Sequence, residues 1–225
     1  MELLLDTANV DAIRKYTEYY PITGVTTNPT ILCAEKRGFY EVYEEIREIT
    51  GPDVQLHVQV TAHDCEGMLK EADTITERLG KDVYIKVPAI EEGIKAMKLL
   101  KKSGKNVTAT AILTPQQAFL SGMAGADYVA PYINRMCSLN IDPIETVRRI
   151  RTIFDNQKIS TKIVGASFKN TQQIMKCYEA GAEAVTLKPE FLTEMVSNGV
   201  VDTWVKNFDA DWVGLYGDKR IYELD

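Results

Sequence analysis

A lysine stands in the middle of an apolar segment of the sequence, where a charged residue is unusual. Residues 82–90 read DVYIKVPAI, so Lys86 has apolar neighbours on both sides and Pro88 just behind it. A short apolar run that ends at a proline is typical of a buried parallel strand. Lysines are seldom fully buried. Lys86 therefore either extends its ammonium from a strand end into water or has a chemical function.

A buried lysine is suited to nucleophilic attack on a carbonyl group. The pKa of a free lysine is about 10.4, so under ~0.1% of it is neutral amine at pH 7. Burial in an apolar strand lowers that pKa and raises the fraction of neutral amine. The amine adds to a ketone, water leaves, and the resulting iminium accepts electrons while a carbon–carbon bond breaks or forms. Lys86 is thus a candidate Schiff-base nucleophile.

The elements that would position this lysine recur along the whole chain as alternating apolar and amphipathic segments. The apolar segments predict eight strands, at or near residues 3–5, 24–29, 54–60, 83–88, 106–111, 128–132, 162–166 and 184–187. Amphipathic helices are predicted between them, two of which begin at the cap-and-proline pairs Thr114-Pro115 and Asp142-Pro143. Eight strands, each followed by a helix, predict a single α/β domain over residues 1–225, a (β/α)8 TIM barrel. A doubly wound sheet would normally carry an early glycine-rich phosphate loop, which is absent. Residues 200–225, with Trp204 and Trp212, are predicted to form an extra C-terminal helix and tail.

Composition narrows the classes of function. The chain has 225 residues, is 45% hydrophobic and has a net charge of −6. The mild acidity and the lack of a basic stripe argue against nucleic-acid binding. The first residues, MELLLDTANVD, do not form a signal peptide, and no apolar run approaches membrane-spanning length. We therefore expect a cytoplasmic protein with no membrane partner.

The cysteines and histidines do not form a metal-binding pattern. The four cysteines are widely spaced and lack a CxxC pair, so reduced thiols are expected rather than structural zinc. His57 and His63 are six residues apart around a strand end. A metal pair there is an open alternative, but ordinary core or surface histidines are favoured.

Polar residues mark the C-terminal ends of the predicted strands, where barrels place their catalytic groups. They are Asp6, Thr26, Asn28, Gln59, Lys86, Thr110, Tyr132, Arg135 and Ser167. Taken singly, most have a structural explanation. Asp6 would cap the first helix, Thr26 and Asn28 would form a turn, and Gln59 would be satisfied within the sheet. Tyr132 would be a core aromatic and Arg135 a surface ion-pair residue. Their convergence on one barrel mouth favours function.

This set of side chains suits Schiff-base carbonyl chemistry on a phosphorylated substrate. Tyr132 could move protons through a water held by Gln59 and Thr110. Arg135 and Ser167 suit a phosphate group, since arginine binds it through two hydrogen bonds and barrels often bind phosphate after strands seven and eight.

Five motifs carry a resemblance to a known family. They are LDTANVDAI at the start, GVTTNPTIL (24–32), VYIKVPA (83–89), GADYVAPYINRM (125–136) and VGASFKN (164–170). In this order they resemble the small-subunit transaldolase and fructose-6-phosphate aldolase family of class I aldolases, along nearly the whole chain. The resemblance implies a TIM barrel, a Schiff-base lysine on strand four, no metal or organic cofactor, and a homodecamer of two pentameric rings. The C-terminal helix would then pack on a neighbouring subunit.

The resemblance also implies roles for the strand-end residues. Lys86 would form the Schiff base, Asp6 and Asn28 would bind substrate hydroxyls and orient the adduct, and Thr26 would line the pocket. Arg135 and Ser167 would bind the phosphate of the acceptor aldehyde.

Two positions separate the activities of this family. Transaldolases typically have glutamate where this chain has Gln59 and phenylalanine where it has Tyr132. With glutamine and tyrosine at these positions, the chain resembles the aldolase subgroup. The resemblance implies reversible cleavage of fructose 6-phosphate into dihydroxyacetone and glyceraldehyde 3-phosphate.

The alternatives are a transaldolase of the pentose phosphate pathway and a non-catalytic sugar-phosphate-binding barrel. The segments ILTPQQ (112–117) and TLKPEF (186–191) differ from aldolase members, and they leave the range of acceptors open.

Overall fold

The strands predicted from the apolar segments are present in the computed structural model, which describes residues 1–224. They are β1 (Glu2–Asp6), β2 (Gly24–Thr26), β3 (Gln55–Gln59), β4 (Tyr84–Pro88), β5 (Asn106–Ile112), β6 (Tyr128–Pro131), β7 (Lys162–Gly165) and β8 (Ala184–Leu187). All neighbouring pairs are parallel, and β8 pairs with β1 to close a barrel in sequential strand order. The predicted (β/α)8 fold is confirmed.

Helices follow the strands in chain order, as the amphipathic segments of the sequence predicted. They are α1 (Val10–Tyr19), α2 (Pro29–Ala34), α3 (Phe39–Thr50), α4 (Cys65–Leu79), α5 (Glu91–Lys102), α6 (Pro115–Met123), α7 (Ile133–Ser138), α8 (Pro143–Gln157), α9 (Thr171–Glu179), α10 (Pro189–Val196) and α11 (Gly199–Tyr216), followed by a 3₁₀ turn at Ile221–Glu223. Both predicted cap-and-proline starts are confirmed, because Thr114 accepts from the amide of Gln117 and Asp142 accepts from that of Glu145. The short helices α2, α7 and α10 were not anticipated.

The chain divides into two compact units. The first extends from Met1 to Phe191 and contains the barrel, and the second begins at Leu192. The second unit contains the predicted C-terminal helix as α11, none of whose residues is buried. That residues 1–225 form one domain stays a prediction, and Asp225 lies outside the described residues. Within residues 1–224, no helix combines the length and apolarity needed to cross a membrane.

The barrel interior is filled by side chains two residues apart on each strand. On β4 these are Tyr84 and Lys86, and on β3 they include His57, which pairs with Tyr84, and Gln59, which pairs with Lys86. Lys86 therefore lies nearest the C-terminal rim, one layer above His57.

Helix α5 holds the strand end that carries the lysine. A Cβ atom placed on Gly93 would lie 1.9 Å from the carbonyl oxygen of Pro88, so only glycine allows this close contact. Pro88 is two residues beyond Lys86, and the contact therefore fixes the end of β4.

Candidate active site

A cavity of about 440 Å³ opens at the C-terminal ends of the strands. Six of the nine predicted site residues line it: Asp6, Asn28, Lys86, Tyr132, Arg135 and Ser167. Thr26 and Thr110 are buried behind this lining, each hydrogen-bonded to a residue of the cavity wall. The structure thus brings eight of the nine residues together, and Gln59 is the exception.

The side chain of Lys86 does not extend into water. The residue is only 5% exposed, and its Nζ donates a hydrogen bond of 2.7 Å to the backbone carbonyl of Thr27. Burial lowers the pKa of this amine, and the negative charge of Asp6 opposes the shift without cancelling it. The alternative that Lys86 extends from the strand end into solvent is therefore wrong.

Two threonines hold Asp6 in place through consecutive hydrogen bonds. The hydroxyl of Thr26 donates to Asp6 Oδ1 at 2.9 Å and lies 2.7 Å from the hydroxyl of Thr186. Since Thr26 has one hydroxyl proton, Thr186 must donate to Thr26. Burial raises the pKa of Asp6, whereas the positive charge of Lys86, the Thr26 hydrogen bond and the positive charge of Lys188 lower it. Asp6 does not cap α1, because Asn9 accepts from the amide of Ala12 at 2.9 Å; the capping alternative is wrong.

Asn28 combines both of the roles considered for it. Its Oδ1 caps α2 by accepting from the amide of Ile31 at 3.0 Å, and its side chain also lines the cavity. Because the oxygen is used by the cap, the amide nitrogen remains as the donor that can face a substrate.

Tyr132 meets Thr110 across the β5–β6 edge. The two hydroxyls are 2.9 Å apart, at a register shift in β5 where Ala111 has a left-handed φ of 59°. Burial raises the pKa of the Tyr132 phenol, and the Thr110 hydrogen bond partly offsets this. The phenol therefore keeps its proton at neutral pH and can act as an acid.

Arg135 and Ser167 are brought together by backbone contacts between α7 and the turn after β7. The amide of Asn134 donates to the Ser167 carbonyl at 2.7 Å, and that of Ile133 donates to the Ala166 carbonyl at 2.9 Å. Ser167 has a left-handed φ of 60°, which is uncommon outside glycine and is often found at functional sites. These contacts fix an arginine and a hydroxyl on one side of the cavity.

Gln59 lies beside Lys86 in the sheet but lines a second cavity. This cavity, of about 400 Å³, also includes Phe39, Tyr40 and Thr61. The Oε1 atom of Gln59 is buried and has no hydrogen-bond partner among the described residues. An unpaired buried acceptor is costly, and it is available to a water or a ligand.

His57 forms the layer beneath Lys86 and belongs to a chain of hydrogen bonds. Gln55 Nε2 donates to the Tyr128 hydroxyl at 3.1 Å, so Gln55 Oε1 is the acceptor that lies 3.1 Å from His57 Nε2. His57 Nε2 therefore carries a proton, and Nδ1 accepts from Thr108 at 2.9 Å. Burial, and next the charge of Lys86, hold the pKa of His57 well below 6.5.

The histidine pair does not assemble into a metal site. His57 is buried in the barrel, whereas His63 is exposed. Across residues 1–224, no group of three or more histidine, cysteine, aspartate or glutamate side chains is placed to hold a metal ion.

Several residues of the cavity wall were not predicted from the sequence. Asn134, Lys169, Thr186 and Lys188 also line it. Thr186 and Lys188 belong to the segment TLKPEF, and their two-residue spacing at the end of β8 could have indicated that both face the barrel interior.

A (β/α)8 barrel with a buried lysine at its C-terminal end is the framework expected of a class I aldolase, and comparisons with known proteins identify the family. Residues 3–218 match the Transaldolase/Fructose-6-phosphate aldolase family, and the chain belongs to that family. The prediction of an enzyme of the aldolase type is confirmed by this membership. One relative is the probable fructose-6-phosphate aldolase of Streptococcus pneumoniae (strain ATCC 700669 / Spain 23F-1). It is 42% identical over 224 residues, which cover 98% of this chain and 100% of the relative.

His57 predicts a specific pH dependence of stability. Below its unfolded-state pKa of 6.5, the unfolded chain binds a proton that native His57 does not accept. The free energy of unfolding must therefore fall as the pH drops from 6.5, by up to ~1.4 kcal/mol per pH unit from this residue. We expect His57→Gln to reduce the slope of unfolding free energy against pH between pH 6 and 5, measured by urea denaturation. Exposed His63→Gln serves as the control and should keep the wild-type slope. Equal slopes in all three proteins would contradict a neutral, buried His57.

Proposed function

We propose that this protein is a class I aldolase that reversibly cleaves fructose 6-phosphate into dihydroxyacetone and glyceraldehyde 3-phosphate. The observation that carries the proposal is the buried amine of Lys86, whose pKa burial lowers and whose hydrogen-bond acceptor is a neutral carbonyl. The family and the name of the Streptococcus pneumoniae relative support the same activity.

The first stage is formation of the Schiff base. The neutral amine of Lys86 adds to the C2 carbonyl of fructose 6-phosphate, and loss of water from the carbinolamine gives an iminium. Asn28 donates its amide protons to a substrate hydroxyl, and Thr26 holds Asp6 in the orientation that the adduct needs. The phosphate binds to Arg135 and Ser167, which the α7 contacts hold together.

The second stage is cleavage of the C3–C4 bond. Asp6 accepts the proton of the C4 hydroxyl, for which its raised pKa makes it a better base than an ordinary aspartate. The C3–C4 electron pair moves into the iminium and forms an enamine on Lys86. The C4 carbon becomes the aldehyde of glyceraldehyde 3-phosphate, which leaves.

The third stage releases the three-carbon unit from the lysine. Tyr132 supplies a proton to C3 of the enamine through a water. Gln59 pairs with Lys86 in the sheet, and its unpaired Oε1 would accept from that water once its side chain turns from the second cavity towards the lysine. Thr110 fixes the orientation of the phenol. Hydrolysis of the resulting iminium consumes one water and returns dihydroxyacetone and the free amine. Transfer of the proton held by Asp6 to the Tyr132 phenolate through water restores both residues for the next turnover.

A homodecamer of two pentameric rings completes the proposal. Helix α11 supports it, because Val200, Trp204, Val205 and Phe208 are all exposed apolar side chains. We expect sedimentation equilibrium to give a mass ten times that of the 25.3 kDa chain. A monomeric mass would contradict the assembly and leave the chemistry of Lys86 unaffected.

The cellular setting that we propose is the cytoplasm. The cysteines Cys33, Cys65, Cys137 and Cys177 are free thiols, which suits a reducing compartment.

The Schiff base is tested by trapping. Incubation with dihydroxyacetone and borohydride should add one reduced three-carbon unit to Lys86, located by peptide mass mapping. Lys86→Met should lose the adduct and all turnover while retaining the fold. The exposed Lys95 should remain unmodified in both proteins. An intact wild-type Lys86 after trapping would exclude Schiff-base chemistry and favour a non-catalytic sugar-phosphate-binding barrel.

The fate of the enamine separates aldolase from transaldolase. With fructose 6-phosphate alone the wild type should release free dihydroxyacetone. Tyr132→Phe removes the proton donor, so it should suppress this release at least about tenfold more than it suppresses transfer to erythrose 4-phosphate. Both products can be followed by chromatography. Accumulation of sedoheptulose 7-phosphate with only traces of dihydroxyacetone in the wild type would favour transaldolase instead, and equal losses in the variant would refute the role of Tyr132.

A further inference from the structure

The cavity wall contains cationic side chains that have no role in the proposed mechanism. Arg135 follows β6, Lys169 follows β7 and Lys188 follows β8, so the three cations extend over three neighbouring strands of the barrel. Among residues 1–224, none of these three side chains forms an ion pair or a side-chain hydrogen bond. Many other basic residues of the chain have acidic partners, as Lys101 has in Asp127 and Arg151 in Glu183.

Lys169 and Lys188 have no part in the proposed mechanism, and of the two it is Lys188 that follows β8, the strand paired with β1, which ends at Asp6. Lys188 directly follows the last residue of β8, two residues beyond Thr186, and both side chains line the cavity. Leu187 is the Cα partner of Leu5, and the residues that follow them, Lys188 and Asp6, are therefore adjacent across the β8–β1 edge. The positive charge of Lys188 acts on the Asp6 carboxyl, which places the lysine close to the reacting end of the cavity.

We propose that Lys188 is a specificity-determining residue that binds the phosphate of the acceptor aldehyde from the β8 side of the cavity, together with Arg135 after β6. This inference rests on the proposed aldolase function and identifies a further residue for its substrate. A phosphate monoester has a charge of about −1.5 to −2 at neutral pH and three acceptor oxygens. One arginine and one serine leave part of that charge and part of that acceptor capacity unmatched.

The preferred acceptor is consequently a short phosphorylated aldehyde. The cavity has a single carboxylate, Asp6, beside the reactive Lys86, and its other charged wall residues are cations. An uncharged aldehyde of the same length gains nothing from Lys188 and leaves the three cations unmatched. The positive charge at position 188 therefore contributes to the selection between the two acceptors, in addition to that of Arg135.

The test compares two acceptors in the direction of synthesis. Addition of dihydroxyacetone to glyceraldehyde 3-phosphate and to uncharged glyceraldehyde is measured for the wild type, Lys188→Met and Lys188→Arg. We expect Lys188→Met to lower the ratio of the two kcat/KM values at least about tenfold, since a charge-assisted hydrogen bond of this kind contributes a tenfold effect or more. Lys188→Arg should retain most of the ratio. Lys176→Met, an exposed lysine on α9, is the matched control and should retain it fully.

A second measurement does not depend on turnover. The dissociation constant of inorganic phosphate is measured by calorimetry for the same proteins. Lys188→Met should weaken binding at least about tenfold, and the difference should decrease with added salt because the interaction is between charges. If phosphate binds wild type and Lys188→Met equally, the proposal is refuted whether or not the protein is an aldolase.

The kinetic outcomes separate the proposal from its nearest competitor. Equal losses with both acceptors, together with an upward shift of the acid limb of the kcat/KM profile, would assign Lys188 to keeping Asp6 ionised and would overturn phosphate binding. An unchanged ratio without that shift would also overturn it. Failure of the wild type to join dihydroxyacetone to either aldehyde would instead count against the proposed function, and the phosphate affinities would still decide the role of Lys188.

Discussion

The burial of one amine determines most of what this site can do. Lys86 lies in the top layer of the barrel with a backbone carbonyl as its hydrogen-bond partner, so the charged form loses hydration without gaining a carboxylate in direct contact. Asp6 attracts the ammonium form, but the desolvation of Lys86 is the larger effect on its pKa. The carboxylate is itself kept in place by Thr26 and Thr186. A buried cation with a weak partner would be destabilising in a structural core, and here it supplies the nucleophile of the proposed mechanism.

Closure of the barrel brings residues that are distant in the sequence together at one site. Strand closure brings β1 beside β8, which lets a threonine from residue 186 support an aspartate at residue 6 through Thr26. Short helices immediately after strands do the finer positioning. Helix α2 uses Asn28 as its cap, and α7 binds the turn that contains Ser167. A register shift in β5 places Thr110 against Tyr132. These local irregularities occur at the C-terminal rim, where a barrel has freedom to vary.

The sequence predicted the strands because each is a short apolar run with a polar residue at its end, and period and burial are local properties. It also predicted six residues of the cavity wall, since the C-terminal ends of parallel strands in a barrel meet by topology. Three features lay beyond it. Taken singly, Asp6 could equally have capped α1, and only the structure shows that Asn9 takes that role. Gln59 pairs with Lys86 in the sheet but lines a second cavity, and the strand pattern does not predict which cavity the end of a long side chain reaches. The partnership of Thr186 with Thr26 joins residues 160 positions apart, and no pattern along the chain encodes it.

The ionisation of Lys86 is the most direct test of this account. The titration of its amine can be followed by NMR of protein labelled with ¹³C at the lysine Cε, with the resonance assigned by its loss in Lys86→Met. The account predicts a pKa below the usual value of 10.5. A pKa at or above 10.5 would mean that Lys86 is an ordinary ammonium group, and it would contradict the central claim that burial makes this lysine a nucleophile.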